Sequence, residues 1–245
     1  MQTSPKSSDA FGNQASREAA APNTARLEAW LAPMLSVVAG MVDLTGFFTL
    51  GNIFTAHVTG NLVVAAAALV GGGPVKLATV LAIPVFMLAL AAVWLIARAS
   101  GRQSVTLARL LLMVQLILLA AVLVIGVLTR PSTDPHGFMA GVTAMIAVAA
   151  MASQYALLRL AVPSAVSTAV MTGNLTNSVL ASMDLLFGGG SRVGDVSRQR
   201  LRRSVWLLGG FLSGCVIASV AVSLFGDWAW ALPVALAAAA LLLTR

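Results

Sequence analysis

The sequence predicts an all-α integral membrane protein, and three observations carry that prediction. First, 59% of the 245 residues are hydrophobic and only 9% are charged, whereas soluble chains average about 45–50% apolar and 25% charged residues. Second, the apolar residues form long separate runs. Third, the runs lack the alternation typical of a membrane β-barrel, so helices, which satisfy their own backbone hydrogen bonds, are expected to form the spans.

The chain divides into a polar N-terminal segment and a membrane domain. Residues 1–28 carry balanced charges and no apolar core, which predicts a disordered cytoplasmic tail. A single membrane domain is expected over residues 29–245. A span needs about 20 residues, and six of the eight apolar runs suit that length if the last is allowed to be slightly short. The runs lie at 30–50, 56–70, 77–97, 105–128, 137–160, 168–187, 204–225 and 228–244.

One eight-residue motif occurs in both of the remaining runs. The first signature extends from Thr55 to Leu62 and the second signature from Thr168 to Leu175, with six of eight positions identical. Each copy contains Thr-Gly-Asn. Polar, glycine-containing turns at matching places in two apolar halves are typical of transport sites in membrane proteins.

Each signature run ends in a glycine triplet, at residues 71–73 and 188–190. Glycine readily adopts the left-handed conformation that ends helices, so both triplets predict helix stops. The helices between the signatures and the triplets are then about 16 Å and 22 Å long. Both are shorter than the roughly 30 Å core of a bilayer.

Two span counts follow from these lengths. Eight crossings give two parallel four-helix repeats. Six full helices with two shorter Thr-Gly-Asn helices give an inverted repeat, over residues 29–130 and 131–245 approximately. With six crossings, 13 Lys and Arg lie inside and 2 outside, against 11 and 4 with eight. The positive-inside rule therefore favours six crossings, and eight crossings are kept as the alternative.

In the six-span form, both signature helices are expected to start near mid-membrane and to line one cavity. Such a cavity suits an anion or a polar solute.

The acidic residue of the first span, Asp43, is the strongest candidate for function. An Asp at a helix centre costs roughly 2.5–3.5 kcal/mol on insertion scales, so it should face a cavity or a partner. His57 is the expected partner, because histidine is the side chain whose charge ordinarily changes near neutral pH. The pair either carries a coupling proton or holds two segments together, and Gln154 is expected at the matching place in the second half. The other pathway candidates are Asn52, Thr59, Gly60, Asn61, Thr172, Gly173 and Asn174.

The Thr-Gly-Asn residues suit a polar helix start. A Thr can cap the first turn, a Gly permits close approach, and an Asn amide both donates and accepts. The alternative is that these small and polar residues are packing devices between membrane helices. The same interpretation applies to the Gly137–Gly141 and Gly210–Gly214 pairs, which predict close helix contacts, and to Gln115 as a link between helices.

The remaining features exclude several classes of protein. The basic run from Arg192 to Arg203 predicts a cytoplasmic loop that contacts anionic lipid headgroups, and nucleic acid is not an expected partner. No enzyme signature is present, and the single cysteine, Cys215, has no partner for a disulfide. We expect no enzyme activity, no cofactor and no metal site. The sequence allows a homo-oligomer and does not decide the oligomeric state.

The stretch from Gly40 to Asn61, GMVDLTGFFTLGNIFTAHVTGN, resembles the YoaK-like family of bacterial inner-membrane proteins, a domain of unknown function. The second Met-Thr-Gly-Asn, which begins at Met171, fits the same resemblance. The likeness extends over residues 30–245. It implies a multi-pass protein of the bacterial inner membrane, and we expect the N-terminus to be cytoplasmic. The resemblance does not identify a substrate.

These observations favour a secondary transporter or permease for a small polar or anionic solute, with proton coupling through Asp43 and His57. A passive channel with the two signatures as its constriction is the first alternative. A non-transporting membrane protein is the second.

Overall fold

A computed structural model describes residues 29–73, 75–101, 104–162, 171–187 and 191–244. Within these ranges the chain is helical and contains no β-strand. The predicted N-terminal tail, residues 168–170 of the second signature and the second glycine triplet lie outside the described residues. The helices are α1 Ala29–Thr49, α2 Gly60–Val70, α3 Leu77–Ser100, α4 Ser104–Thr129, α5 Phe138–Leu160, α6 Met171–Phe187, α7 Ser191–Phe225 and α8 Ala231–Leu243.

Five segments of the described chain are long and apolar enough to cross a membrane. Four of them are α1, α3, α4 and α5, and the fifth, Gly194–Leu243, contains both α7 and α8. The predicted class, an all-α protein with the helices of a multi-pass membrane protein, is therefore confirmed.

The chain reverses between α7 and α8. A short 3-10 helix, Gly226–Trp230, joins them, and Gly226 has a φ of +54°, a conformation that favours glycine. Asp227 fixes this turn, because its carboxylate accepts hydrogen bonds from Ser132 N at 3.3 Å and Ser132 Oγ at 2.5 Å.

The core has two layers that define the ends of the bundle. We call the end near Leu31 the lower end and the end near Thr49 the upper end. Helices α1, α4 and α7 run from lower to upper, and α3, α5 and α8 return. The lower layer includes Leu31, Val93, Leu107, Leu157, Leu207 and Ala240, and the upper layer includes Val42, Leu119, Ala144, Trp230 and Ala237.

The segment that contains α2 starts and finishes at the upper end. The Lys76 amino group, immediately before α3, donates a 3.1 Å hydrogen bond to the carbonyl of Gly51, immediately after α1. Helix α2 has 11 residues, which is about 16 Å. It ends at Val70, where the amide of Gly71 donates to the carbonyl of Ala67. The predicted length and the predicted glycine stop are both confirmed.

Helix α6 packs along α7 rather than against α2 or α3. It has 17 residues, or about 25 Å. The Ser197 hydroxyl of α7 donates a 2.9 Å hydrogen bond to Asp184 of α6. The prediction of a loop from Arg192 to Arg203 is wrong, because α7 begins at Ser191. Arginine is a good helix former, and the packing of α6 supports this extension.

Glycine brings α1 and α7 into close contact. A Cβ on Gly214 would overlap the carbonyl oxygen of Val37, and a Cβ on Gly40 would overlap that of Phe211. The predicted helix contact at Gly210–Gly214 is therefore confirmed. Gly141 contacts α3 at an ordinary distance, because a Cβ at this position would lie 3.6 Å from Ala78 Cβ.

Candidate functional site

The candidate site lies where α1 meets the signature loop, residues 50–59, which joins α1 to α2. Asp43 is in the upper half of α1 and is only 5% exposed. The Nδ1 of His57, in the signature loop, lies 2.8 Å from Asp43 Oδ2. The predicted partnership of the two side chains is present in the structure.

The other carboxylate oxygen of Asp43 binds the backbone of the signature loop. Oδ1 accepts hydrogen bonds from the amides of Thr55 at 2.8 Å, Ala56 at 2.9 Å and His57 at 3.4 Å. Successive amides that converge on one point form an anion-binding arrangement, and an ionised carboxylate only accepts hydrogen bonds. Asp43 therefore holds the loop on α1 through its acceptor oxygens.

A tyrosine on α5 holds the same loop from another direction. The Tyr155 hydroxyl donates a 2.6 Å hydrogen bond to the carbonyl of Ala56, and both residues are buried. Tyr155 was missed as a site residue by the reasoning from the sequence. The available signal was that it is the only tyrosine in the chain and lies in an apolar helix beside Gln154.

The aromatic ring of Phe211 brings α7 to the site as well. It contacts the His57 ring edge-on, with 5.0 Å between ring centroids. The imidazole still has 28% of its side chain exposed, whereas Asp43 has 7%. Three helices, α1, α5 and α7, thus contact one loop that contains a titratable histidine, and the histidine is the more accessible member of the pair.

The Asn61 amide is satisfied by the signature loop itself. Its Nδ2 donates to the carbonyl of Phe54 at 2.8 Å, and its Oδ1 accepts from the amide of Phe54 at 2.9 Å. The side chain is fully buried. Asn61 therefore ties the start of α2 to the middle of the signature loop and has both ends of its amide occupied.

The other first-signature candidates lie around this link. Thr59 precedes α2 but is exposed, and its side chain makes no capping hydrogen bond, so the predicted Thr cap is not formed. Gly60 faces the Phe54 ring, which a Cβ there would meet at 3.0 Å. Asn52 is exposed, with a φ of +64°, and belongs to the turn that follows α1.

Gln154 lies apart from Asp43, in the lower half of the bundle. Its Nε2 donates to the Leu35 carbonyl of α1 at 2.9 Å, and its Oε1 accepts from Gln115 Nε2 of α4 at 2.8 Å. Leu35 is eight residues before Asp43, about 12 Å along the helix. The prediction that Gln115 links helices is confirmed, and Gln154 is part of that link.

The described part of the second signature lies at the start of α6. Thr172 and Gly173 are in its first turn, and Asn174 is buried. The Ser178 hydroxyl, also buried, donates to the Asn174 carbonyl at 2.9 Å. Helix α6 packs against α7 whereas α2 packs against α3, so the two signature helices have different neighbours.

Two buried hydroxyl groups lie close to Asp43. Thr45 is two residues later in α1, and Thr55 is the residue whose amide binds Asp43 Oδ1. The Oγ1 atoms of Thr45 and Thr55 are buried with no hydrogen-bond partner in the described structure. A buried polar group that lacks a partner costs about 1–3 kcal/mol. Both hydroxyls are therefore places where a water molecule or a polar solute would gain hydrogen bonds.

The arrangement places four hydrogen bonds of the signature loop on one carboxylate. While Asp43 is ionised, it attracts three amides and the imidazole together. A proton on this carboxylate removes the charge that strengthens those hydrogen bonds and turns one oxygen into a donor. A proton on Asp43 would therefore weaken the hydrogen bonds that hold the signature loop.

A family model with the description "Protein of unknown function (DUF1275)" matches residues 31–243. The chain belongs to this family. The matched range contains every candidate residue described above, from Asp43 to Asn174. No curated protein and no solved structure matches the chain. Since the description of the DUF1275 family gives no activity, the function has to be inferred from the geometry of the site.

Proposed function

We propose that the protein is a proton-coupled secondary transporter for a small polar or anionic solute. One observation carries this proposal: a buried aspartate in an apolar helix binds a histidine and, with the same carboxylate, anchors the signature loop. Ionisable residues inside membrane helices are costly and typically mark ion or substrate pathways. A histidine partner can accept or donate a proton through its ring nitrogens.

The path of the chain supports six crossings rather than eight. In an eight-span protein, Gly51 and Lys76 would lie at opposite faces of a core about 30 Å thick. They are instead joined by a 3.1 Å hydrogen bond. Helices α1, α3, α4, α5 and α7 then cross, α8 crosses together with the Gly226–Trp230 helix before it, and α2 enters and leaves at the upper end.

The positions of Asp43 and Gln154 support an inverted repeat. Each lies six residues before the end of its helix, Thr49 for α1 and Leu160 for α5. The two helices run in opposite directions, so the two side chains lie in opposite halves of the bundle. This is the relation expected of matching residues in inverted-topology halves, and only one half has the charge.

In the proposed cycle, the signature loop is the gate. With Asp43 ionised, Thr55, Ala56 and His57 are held on α1. Protonation of the Asp43 carboxylate weakens this hold, which frees the three amides and allows the loop to move. The freed amides and the buried Thr55 hydroxyl then offer donors to a polar or anionic solute, and release of the proton from Asp43 restores the closed loop.

The charge distribution supports a cytoplasmic lower end, with the N-terminus on the same side. Four arginines of the lower part of α7 are exposed, in line with the positive-inside rule and with contacts to anionic lipid headgroups. We propose the bacterial inner membrane as the location, which the resemblance of the sequence to YoaK-like proteins supports. The four are Arg198, Arg200, Arg202 and Arg203.

The proposal is tested with purified protein in liposomes. Uptake of labelled monocarboxylates, amino acids and inorganic phosphate is measured with and without an imposed pH gradient, against protein-free liposomes. We expect the acid-outside gradient to drive accumulation of at least one solute. We expect Asp43→Asn to abolish accumulation while solute exchange without a gradient continues, because Asn keeps an acceptor oxygen but cannot carry the proton.

Asp184→Asn is the matched control. Asp184 is likewise an aspartate whose carboxylate accepts a hydrogen bond, in its case from the Ser197 hydroxyl. It should accumulate solute like the unmodified protein. Uptake that reaches the same plateau with and without the gradient would instead identify a passive channel. Accumulation that survives Asp43→Asn would overturn the coupling, and no uptake of any solute would leave the non-transporting alternative.

A further inference from the structure

The upper end of the bundle contains a pocket that is separate from the Asp43 site. It has a volume of about 330 Å³ and lies between the beginnings of α3 and α5, with Leu50 and Ile53 of the signature loop at one side. Neither Asp43 nor His57 lines it. Ligand pockets span about 300–1,000 Å³, so this one suits a small molecule.

The polar part of the pocket is basic. Lys76 and His136 both line it. The Lys76 amino group donates to the Gly51 carbonyl at 3.1 Å and lies 3.4 Å from His136 Nε2. An ammonium group has three donors, so one remains for a ligand. None of the described residues that line the pocket is acidic, and the nearby Asp134 carboxylate lies against Gly137.

The rest of the pocket is lined mainly by apolar residues of α3 and α5. Ala78 and Leu81 of α3 form one wall, and the other wall extends along α5 from Gly137 to Met145. Met145 is eight residues after Gly137, which is about 12 Å along a helix. One cationic group beside an apolar lining is complementary to a molecule with one anionic group and a short hydrocarbon chain.

We propose that this pocket binds a small amphiphilic carboxylate, with the carboxylate on Lys76 and the chain between α3 and α5. Charge complementarity selects the anion, since a charge-assisted hydrogen bond to an ammonium is stronger than a neutral one. The ligand would join α3, α5 and the signature loop at the upper end. This inference does not depend on the transport proposal, because it concerns other residues and binding alone.

The test is photolabelling of the purified full-length protein in lipid nanodiscs. The probe is octanoate with a diazirine on its chain, and labelled positions are read by peptide mass spectrometry. We expect labels on the α3 and α5 walls, around Leu81 and Met145. Unlabelled octanoate should compete about tenfold better than octanol, which has the same chain but no charge.

Two variants test the two halves of the pocket separately. Lys76→Met removes the charge and should weaken competition by octanoate about tenfold. Leu81→Phe adds volume to the apolar wall and leaves Lys76 and its bond to Gly51 in place, so it keeps the test valid if Lys76→Met fails to fold. It should reduce labelling of the pocket. Arg130→Gln, at the same end but outside the pocket, is the control and should label normally.

Labels scattered over lipid-facing helix surfaces would overturn the proposal. So would equal competition by octanoate and octanol, or unchanged labelling in both Lys76→Met and Leu81→Phe. Because the readout is binding, these outcomes are independent of whether any solute is transported.

Discussion

The carboxylate of Asp43 and the imidazole of His57 are 2.8 Å apart, and the same carboxylate binds three consecutive amides of the signature loop. The sequence left two roles open for Asp43, a structural hydrogen bond and a proton carrier. The structural role is evident in these contacts. The proton-carrying role is our proposal, and it involves the same contacts. A proton on Asp43 would remove the charge that strengthens the hydrogen bonds to the loop.

The first prediction concerns what Asp43 contributes to stability. Asp43→Ala leaves the amides of Thr55 and Ala56 without their acceptor, whereas Asp43→Asn keeps an oxygen within reach. We expect Asp43→Ala to lower the free energy of unfolding by about 2–3 kcal/mol and Asp43→Asn by about 1 kcal/mol. Thermal unfolding of purified protein in detergent measures the difference through the midpoint temperature.

Asp184→Ala provides the comparison, since it removes the acceptor of one serine hydroxyl and no backbone amide. Its midpoint should fall by less than that of Asp43→Ala. Equal midpoints for the two Asp43 variants would contradict the importance of the amide hydrogen bonds.

The second prediction concerns the close approach of α1 and α7. Gly214→Ala places a methyl group inside van der Waals contact with the Val37 carbonyl oxygen, and the backbone of α1 cannot move aside as a flexible side chain would. We expect destabilisation by about 2 kcal/mol or more from this overpacking, measured by the same unfolding experiment.

Gly209→Ala is the matched control, five residues earlier on the same helix. Nothing lies within 4 Å of a Cβ at Gly209, and Ala favours helix over Gly by up to about 1 kcal/mol in water. This variant should be neutral or slightly more stable. A loss of stability there equal to that of Gly214→Ala would show that the helix contact is not responsible.

The contrast between Asp43 and Tyr155 shows what could be predicted from the sequence. An acid in a membrane helix needs a partner, and His57 was the nearest titratable residue along the chain, so the pair followed from local reasoning. The partner of Tyr155 is a backbone carbonyl 99 positions away. No residue pattern marks a backbone acceptor, and the contact exists only because α5 packs against the signature loop.

Asn61 and the basic run show two further limits. The duplicated Thr-Gly-Asn indicated an organised element, but a motif does not tell whether an amide faces a solute or its own backbone. In the structure Asn61 binds Phe54. Likewise, charge predicted a loop from Arg192 to Arg203, whereas this stretch belongs to α7 and contacts α6 through Ser197.

The third prediction tests the six-crossing topology by cysteine labelling in a Cys215→Ser background. Single cysteines are placed at Ala29, Val75 and Ala99, all exposed, and treated with a membrane-impermeant maleimide on intact and on permeabilised cells. We expect Ala29→Cys and Ala99→Cys to label from one side and Val75→Cys from the other, because α1 and α3 cross and α2 does not. If Ala29→Cys and Val75→Cys react from the same side of the membrane and Ala99→Cys reacts from the other side, the chain makes eight crossings instead.

The fourth prediction is that Asp43 and Tyr155 act on the loop together. Asp43→Asn weakens the hold on the Ala56 amide, and Tyr155→Phe removes the hydroxyl that binds the Ala56 carbonyl at 2.6 Å. Each change alone should cost about 1 kcal/mol. Once one change has released the loop, the remaining hydrogen bond contributes less to the free energy of unfolding. The double variant should therefore lose less stability than the sum of the two single losses.

A double-mutant cycle of unfolding free energies measures this coupling, which we expect at about 0.5 kcal/mol or more, in the range of about 0.5–3 kcal/mol seen for groups in one network. Tyr155→Phe combined with Asp227→Asn is the reference cycle, since Asp227 binds Ser132 at the upper turn and shares no hydrogen-bond partner with Tyr155. Its two effects should add. Additive effects in the Asp43 cycle as well would mean that α1 and α5 hold the signature loop independently, and that protonation of Asp43 cannot alter the contact between the loop and α5.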